Sequence, residues 1–207
     1  MLVENLSKIA LGTAQFGMNY GIANKNGQIK KNEARSILDY AYSFGINTLD
    51  TAKAYGCSES IIEQYIKERK NEDWCIITKI KSQTNNSELK EIDSVKNMVF
   101  TPTIVLAHSA ADYLNPSFCN ALHLLKKRNR VKQVGVSVYS TSELRDVLSN
   151  KRPDVIQCPL SILDTRLYRN GFLDKIKREG IDIHIRSVFL QGLFYLSNEK
   201  LLESFSD

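Results

Sequence analysis

Four residues in the first half of the chain are of types that move or steer a proton, and each stands where an apolar run gives out. Asp50 closes "INTLD", Tyr55 follows in "TAKAYG", Lys79 closes "CIITK", and His108 follows "TIVLA". A phenol can donate a proton, and an ammonium beside it favours the phenolate. A carboxylate keeps that ammonium charged and in place, and an imidazole can orient a carbonyl oxygen. This set suits carbonyl reduction, in which hydride reaches carbon while a proton reaches oxygen. Side chains do not supply hydride, so a nicotinamide cofactor is implied. No G-x-G-x-x-G fingerprint occurs in the chain, which directs cofactor binding to loops rather than to a Rossmann turn.

Such residues must be held by a scaffold, and the apolar pattern supplies one. Seven strand-like runs lie near 8–14, 46–51, 74–80, 103–108, 132–138, 154–160 and 182–189, at roughly 20 to 30 residues per unit as expected of repeated βα units. Most are continuous rather than alternating, as in parallel strands covered on both faces. Between them, 33–44 carries Ala34, Ile37, Leu38, Ala41 and Tyr42 as a helical stripe, with Gly45 as its C-terminal cap. Asn115-Pro116 reads as an N-cap followed by a first-turn proline. Ser140 and Glu143 form a potential capping box before a helix over 141–150. A short helix is expected within 81–100. The pattern predicts a (β/α)8 barrel of the TIM type, truncated to about seven parallel strands with outer helices, as one domain over 1–207. The four polar residues then sit on the C-terminal rim, where such barrels build their chemistry.

Bulk properties exclude several other classes. The chain has 207 residues, 43% apolar, with net charge +5. The basic clusters, Lys126-Lys127-Arg128 with Arg130 and the run Arg166, Arg169, Lys175, Lys177, Arg178, fall on helix faces without interleaved aromatics, so no nucleic-acid partner is expected. Cys57, Cys75, Cys119 and Cys158 lack CxxC spacing and read as thiols in a reducing compartment, with no metal site. The N-terminus has no signal-peptide pattern, and no run approaches the roughly 20 apolar residues that span a bilayer. A cytoplasmic protein without membrane contact is the expectation. His123 and His184 read as structural, and Gly12, Gly17 and Gly21 as a flexible rim loop.

With "LGTAQFG", "LDTAKAYG", the lysine after the third run and "LAH" after the fourth in order, the sequence resembles the aldo-keto reductase family from about Leu11 to Leu193. The resemblance implies that Tyr55 is the general acid, Lys79 and Asp50 its tuning pair, and His108 the group that orients a small-molecule carbonyl substrate. It implies NADPH as cofactor, held by Gly12, Thr13 and Ala14 after the first strand, by Asp50, and by Ser137 and Gln157 at the carboxamide. Ser187, Gln191, Gly192 and Leu193 match the loop after the seventh strand beside the pyrophosphate, and Arg186 stands at the start of that motif, where its guanidinium is placed to stack on the nicotinamide or pair with phosphate. The loop "GMNYGIANKNGQI" looks like a bacterial subgroup associated with sugar modification, which makes a sugar derivative the implied substrate class.

Three departures from the family pattern stand out. Val138 replaces a common Asn, Arg186 replaces a common aromatic, and only 14 residues follow Leu193, too few for an eighth βα unit. An open barrel of this kind is expected to bind cofactor weakly and to self-associate through its strand edges. Two alternatives to a reductase stay open at this point: an inactive remnant acting as a binding protein, and a lyase using Lys79 as a Schiff-base nucleophile.

Overall fold

A computed structural model of the protein describes residues 6–69, 73–82, 95, 101–199 and 201. Seven strands form one sheet in sequential order, every neighbouring pair parallel. They are β1 (Ala10–Gly12), β2 (Thr48–Asp50), β3 (Cys75–Ile80), β4 (Ile104–Ala107), β5 (Gln133–Ser137), β6 (Val155–Pro159) and β7 (Asp182–Arg186). The helices are α1 (Ala14–Gly17), α2 (Lys31–Ser43), α3 (Ser58–Glu68), α4 (Ala110–Leu114), α5 (Pro116–Lys127), α6 (Thr141–Leu148), α7 (Arg166–Arg169) and α8 (Phe172–Arg178). This is the βα succession of the predicted barrel. Among the described residues, β1 and β7 have no ladder between them.

The helix signals act as their chemistry requires. Asn115 accepts from the backbone N–H groups of Ser117 and Phe118 at the start of α5. Ser140 and Glu143 complete both halves of a capping box on α6. Gly45 lies at φ +79° and donates to Tyr42, ending α2. Two runs are shorter as strands than their apolar pattern suggests. The first becomes helical at Ala14, and the seventh stops at Arg186 because Ser187 takes φ +60°. The helix expected in 81–100 falls almost wholly outside the described residues. No described helix is long and apolar enough to cross a membrane.

Strand alternation sorts the side chains. Leu49, Ile76, Val105, Val134, Val136, Ile156 and Cys158 join clusters with the outer helices. Their neighbours face the other way, where Ile77, Ile104, Leu106 and Val155 form a separate apolar plug. By the same period of two, Asp50, Lys79, Ser137, Gln157, His184 and Arg186 all belong to the concave face, at or above that plug. Gly135 lets β6 and the Leu106 side chain approach closely at the level of the plug, since a Cβ there would stand 2.0 Å from the Val155 carbonyl oxygen.

Candidate active site

Asp50 is the last residue of β2, and Lys79 is the penultimate residue of β3. Because Asp50 pairs in register with Ile77, Lys79 stands two residues further along the neighbouring strand on the same face. Its ammonium reaches back to the Asp50 carboxylate as a hydrogen-bonded ion pair, and it also donates to the Thr51 carbonyl at 3.0 Å and the Tyr55 hydroxyl at 3.5 Å. Three N–H groups thus meet three acceptors. Lys79 is only 2% exposed, and a charge so buried persists only when it is paired and hydrogen-bonded.

Tyr55 is positioned by backbone contacts that local sequence reasoning did not find. Its N–H donates to Ala52 and its carbonyl accepts from Ser58, forming a tight turn before α3. Gly17 of α1 lies directly on that turn: a Cβ on Gly17 would fall 1.7 Å from the Tyr55 carbonyl oxygen. Gly56, at φ +52°, would place its own Cβ 2.2 Å from the Gly17 carbonyl oxygen. Gly17 is therefore a packing glycine, not simply part of a flexible loop.

The Tyr55 phenol is pushed up to about 12, first by burial and then by the Asp50 carboxylate, while Arg186 pulls the other way. A net lowering by Lys79 was expected. It is not found, because the lysine is neutralised at contact by Asp50 and the phenol is withdrawn from water. His108 follows β4, its ring edge-on to Tyr55 with centroids 6.2 Å apart. Burial, then the charges of Lys79 and Lys81, lower its pKa and favour the neutral imidazole. Its Nδ1 is buried without a partner.

Across the mouth, Ser137 and Gln157 pair in register and are each 2% exposed. Gln157 donates to the second Asp50 oxygen at 3.2 Å, and its own carbonyl oxygen is buried without a partner. A primary carboxamide needs one donor and one acceptor. The Ser137 hydroxyl and the free Gln157 oxygen are chemically that pair. Arg186 leans over them from the end of β7, donating to Ser137 Oγ at 3.3 Å, Val138 O at 3.1 Å and Ser187 Oγ at 3.1 Å. Its guanidinium stacks on the Tyr139 ring at 3.8 Å. Tyr139 was not singled out from sequence. His184 lies opposite Gln157 with its Nδ1 buried and unpartnered, whereas His123 bonds the Tyr113 hydroxyl at 2.9 Å.

The remaining candidates divide. Gly12 ends β1 with nothing within 4 Å of where a Cβ would be, and Ala14 opens α1. Thr13 is fully buried: its hydroxyl donates to the Asp50 carbonyl at 3.1 Å and contacts Ser58 Oγ at 2.8 Å. That side chain holds the β1 loop to β2 rather than presenting a free group to a ligand. Ser187, Gln191 and Gly192 all have positive φ in the turn after β7, and Leu193 follows them. A Cβ on Gly192 would stand 2.7 Å from Ala23 Cβ, and Ala23 N–H donates to Gln191, so this turn rests on the loop after β1.

Residues 8–206 match the Aldo/keto reductase family. The chain belongs to that family. It is 26% identical over 216 residues to the NADH-specific methylglyoxal reductase of Escherichia coli (strain K12), covering 91% of this chain and 65% of that protein. In fold it is similar to an aldo-keto reductase from Bacillus halodurans in its holo form, with a TM-score of 0.72 at 21% identity over 90% of this chain and 63% of that one. It is also similar to an aldo/keto reductase from Klebsiella pneumoniae in complex with NADP and acetate, with a TM-score of 0.69 at 14% identity over 96% and 72%. The chain spans less than two thirds of the length of the curated relatives it matches.

Proposed function

We propose that this aldo-keto reductase chain reduces an aldehyde or ketone to an alcohol with NADPH, Tyr55 giving the proton. The observation that carries the proposal is the Lys79 ammonium, which gathers Asp50, Thr51 and Tyr55 into one buried cluster on the concave face at the strands' C-terminal ends. A phenol near 12 is protonated at neutral pH, as a donor must be. It is still far more acidic than an alcohol, which is about as weak an acid as water at about 15.7, so proton transfer to a developing alkoxide runs downhill. Lys79 then stabilises the phenolate that forms, and neutral His108 can donate a hydrogen bond to the same oxygen.

A nicotinamide cofactor supplies hydride when bound. Ser137 and the free Gln157 oxygen would hold its carboxamide. Gly12, Ala14 and the turn carrying Ser187, Gln191, Gly192 and Leu193 would line its path. The Schiff-base reading fares worse, because all three N–H groups of Lys79 have acceptors and the side chain is 2% exposed. Relatives divide on the cofactor, one being NADH-specific by name and another solved with NADP, so both are to be tried.

The test is cofactor oxidation at 340 nm with a panel of small aldehydes and identification of the alcohol product. Turnover with NADPH supports the proposal. A chain that binds neither NADPH nor NADH by fluorescence titration and forms no alcohol overturns it.

A further inference from the structure

Arg186 is the charged group at the mouth that the proton-transfer cluster leaves without an opposite charge. Two lysines at the site have opposite charges beside them in the fold: Lys79 is paired to Asp50, and Lys53 to Glu59 at 2.7 Å. Among the described residues, no carboxylate forms an ion pair with Arg186. Its three hydrogen bonds go to neutral acceptors, Ser137, Val138 and Ser187, and use three of the five N–H groups of a guanidinium. Two donors and a full positive charge remain.

The geometry fixes where that charge lies. Arg186 ends β7, yet its guanidinium reaches Ser137 and Val138 at the end of β5, so it spans the end of β6 on the concave side. The Tyr139 ring covers one of its faces at 3.8 Å and restricts its rotation. The charge is felt at the Tyr55 phenol and at Tyr20 in the loop after β1, where it opposes the upward shift of both. A planar fork held still, half-buried and short of a counter-ion, is the arrangement that proteins use for carboxylates.

We infer that Arg186, steadied by Ser137, Val138 and Tyr139, binds a carboxylate on the substrate, so that the preferred substrates are carbonyl compounds bearing an acid group a few bonds from the reacting carbon. The inference rests on the reductase reading. The same fork would also take a cofactor phosphate, and the experiment separates the two sources.

Succinic semialdehyde and butanal match in chain length and differ in the carboxylate. The wild-type chain is expected to favour succinic semialdehyde in kcat/KM. Arg186→Met should lower the ratio of the two kcat/KM values by about 10-fold or more, the usual weight of a charge-assisted hydrogen bond. Arg186→Lys, which keeps the charge without the fork, should retain part of the preference and guards against a variant that folds poorly. The ratio is also insensitive to the fraction of active protein. An unchanged ratio in Arg186→Met overturns the inference. So does a raised NADPH dissociation constant with equal losses on both aldehydes, which would assign the arginine to the cofactor. If the wild type reduces neither aldehyde, the reductase reading fails, and saturation-transfer NMR with 4-hydroxybutyrate decides the anion site alone. Binding lost in Arg186→Met upholds it, and no binding by the wild type overturns it.

Discussion

The two sides of the barrel mouth are built on opposite principles. On the β2–β4 side, the charged groups satisfy one another: Lys79 has three acceptors, and Asp50 holds Lys79 with one oxygen and Gln157 with the other. On the β5–β7 side, Gln157 and His184 bury polar atoms without partners, and Arg186 has no carboxylate beside it among the described residues. Buried polar groups without partners are costly and uncommon. Two of the three such atoms among the described residues lie on the β5–β7 side with Arg186 and mark where a ligand's polar groups would be received, while the third, His108 Nδ1, stands beside Tyr55 on the side set for proton transfer.

If that division is right, the largest effect should come from breaking the self-contained side. Lys79→Met would leave the Asp50 carboxylate partly buried and without its cation, a change expected to cost about 3 kcal/mol or more by urea denaturation, along with most of the activity. Gly17→Ala attacks the same side through its backbone. With a Cβ otherwise 1.7 Å from the Tyr55 carbonyl oxygen, the turn must shift, at a cost of about 1–3 kcal/mol, and kcat should fall while cofactor affinity holds.

A subtler probe concerns charge. Asp50 raises the Tyr55 phenol, so Asp50→Asn removes that push and also frees the Lys79 ammonium to favour phenolate. Both changes act downward. The alkaline limb of the kcat/KM profile, expected near pH 12 in the wild type, should move to lower pH in the residual activity of this variant.

The smallest effect belongs to the histidines. All three, His108, His123 and His184, have folded pKa values lowered chiefly by burial. The unfolded chain therefore takes up protons first. Their unfavourable contribution is absent above the unfolded value of about 6.5 and grows as pH falls from there toward the folded values. Melting temperature should decline by a few degrees from pH 7.5 to 5, and substituting His184 by Leu should reduce that decline.

Much of this layout was legible in sequence. The seven strands could be found because parallel strands covered on both faces need continuous apolar runs, and Asp50 and Lys79 could be placed because each stands where such a run ends, on the rim that parallel strands share. The turn after β7 was not legible. "SVFL" reads as strand by composition, and only the positive φ of Ser187 shows that the ladder ends before it. Nor could local pattern reveal that Gly17 packs on the turn of Tyr55, that the Thr13 hydroxyl is taken up by Asp50 and Ser58, or that Tyr139 stacks on Arg186. Each depends on residues brought together from distant parts of the chain. The sign of the Tyr55 shift escaped for a related reason: residue types told of an ammonium beside a phenol, and only the fold shows that burial, and then the Asp50 carboxylate, push the phenol up.

Deuterium transfer from [4-²H]NADPH to an aldehyde, followed by mass spectrometry of the alcohol, tests the central claim that this site joins hydride acceptance to a proton from Tyr55. The wild type is expected to place one deuterium on the former carbonyl carbon, and Tyr55→Phe to make labelled product about 10²–10⁴-fold more slowly while still binding NADPH. An alcohol without label, or label delivered by Tyr55→Phe at the wild-type rate, would contradict it.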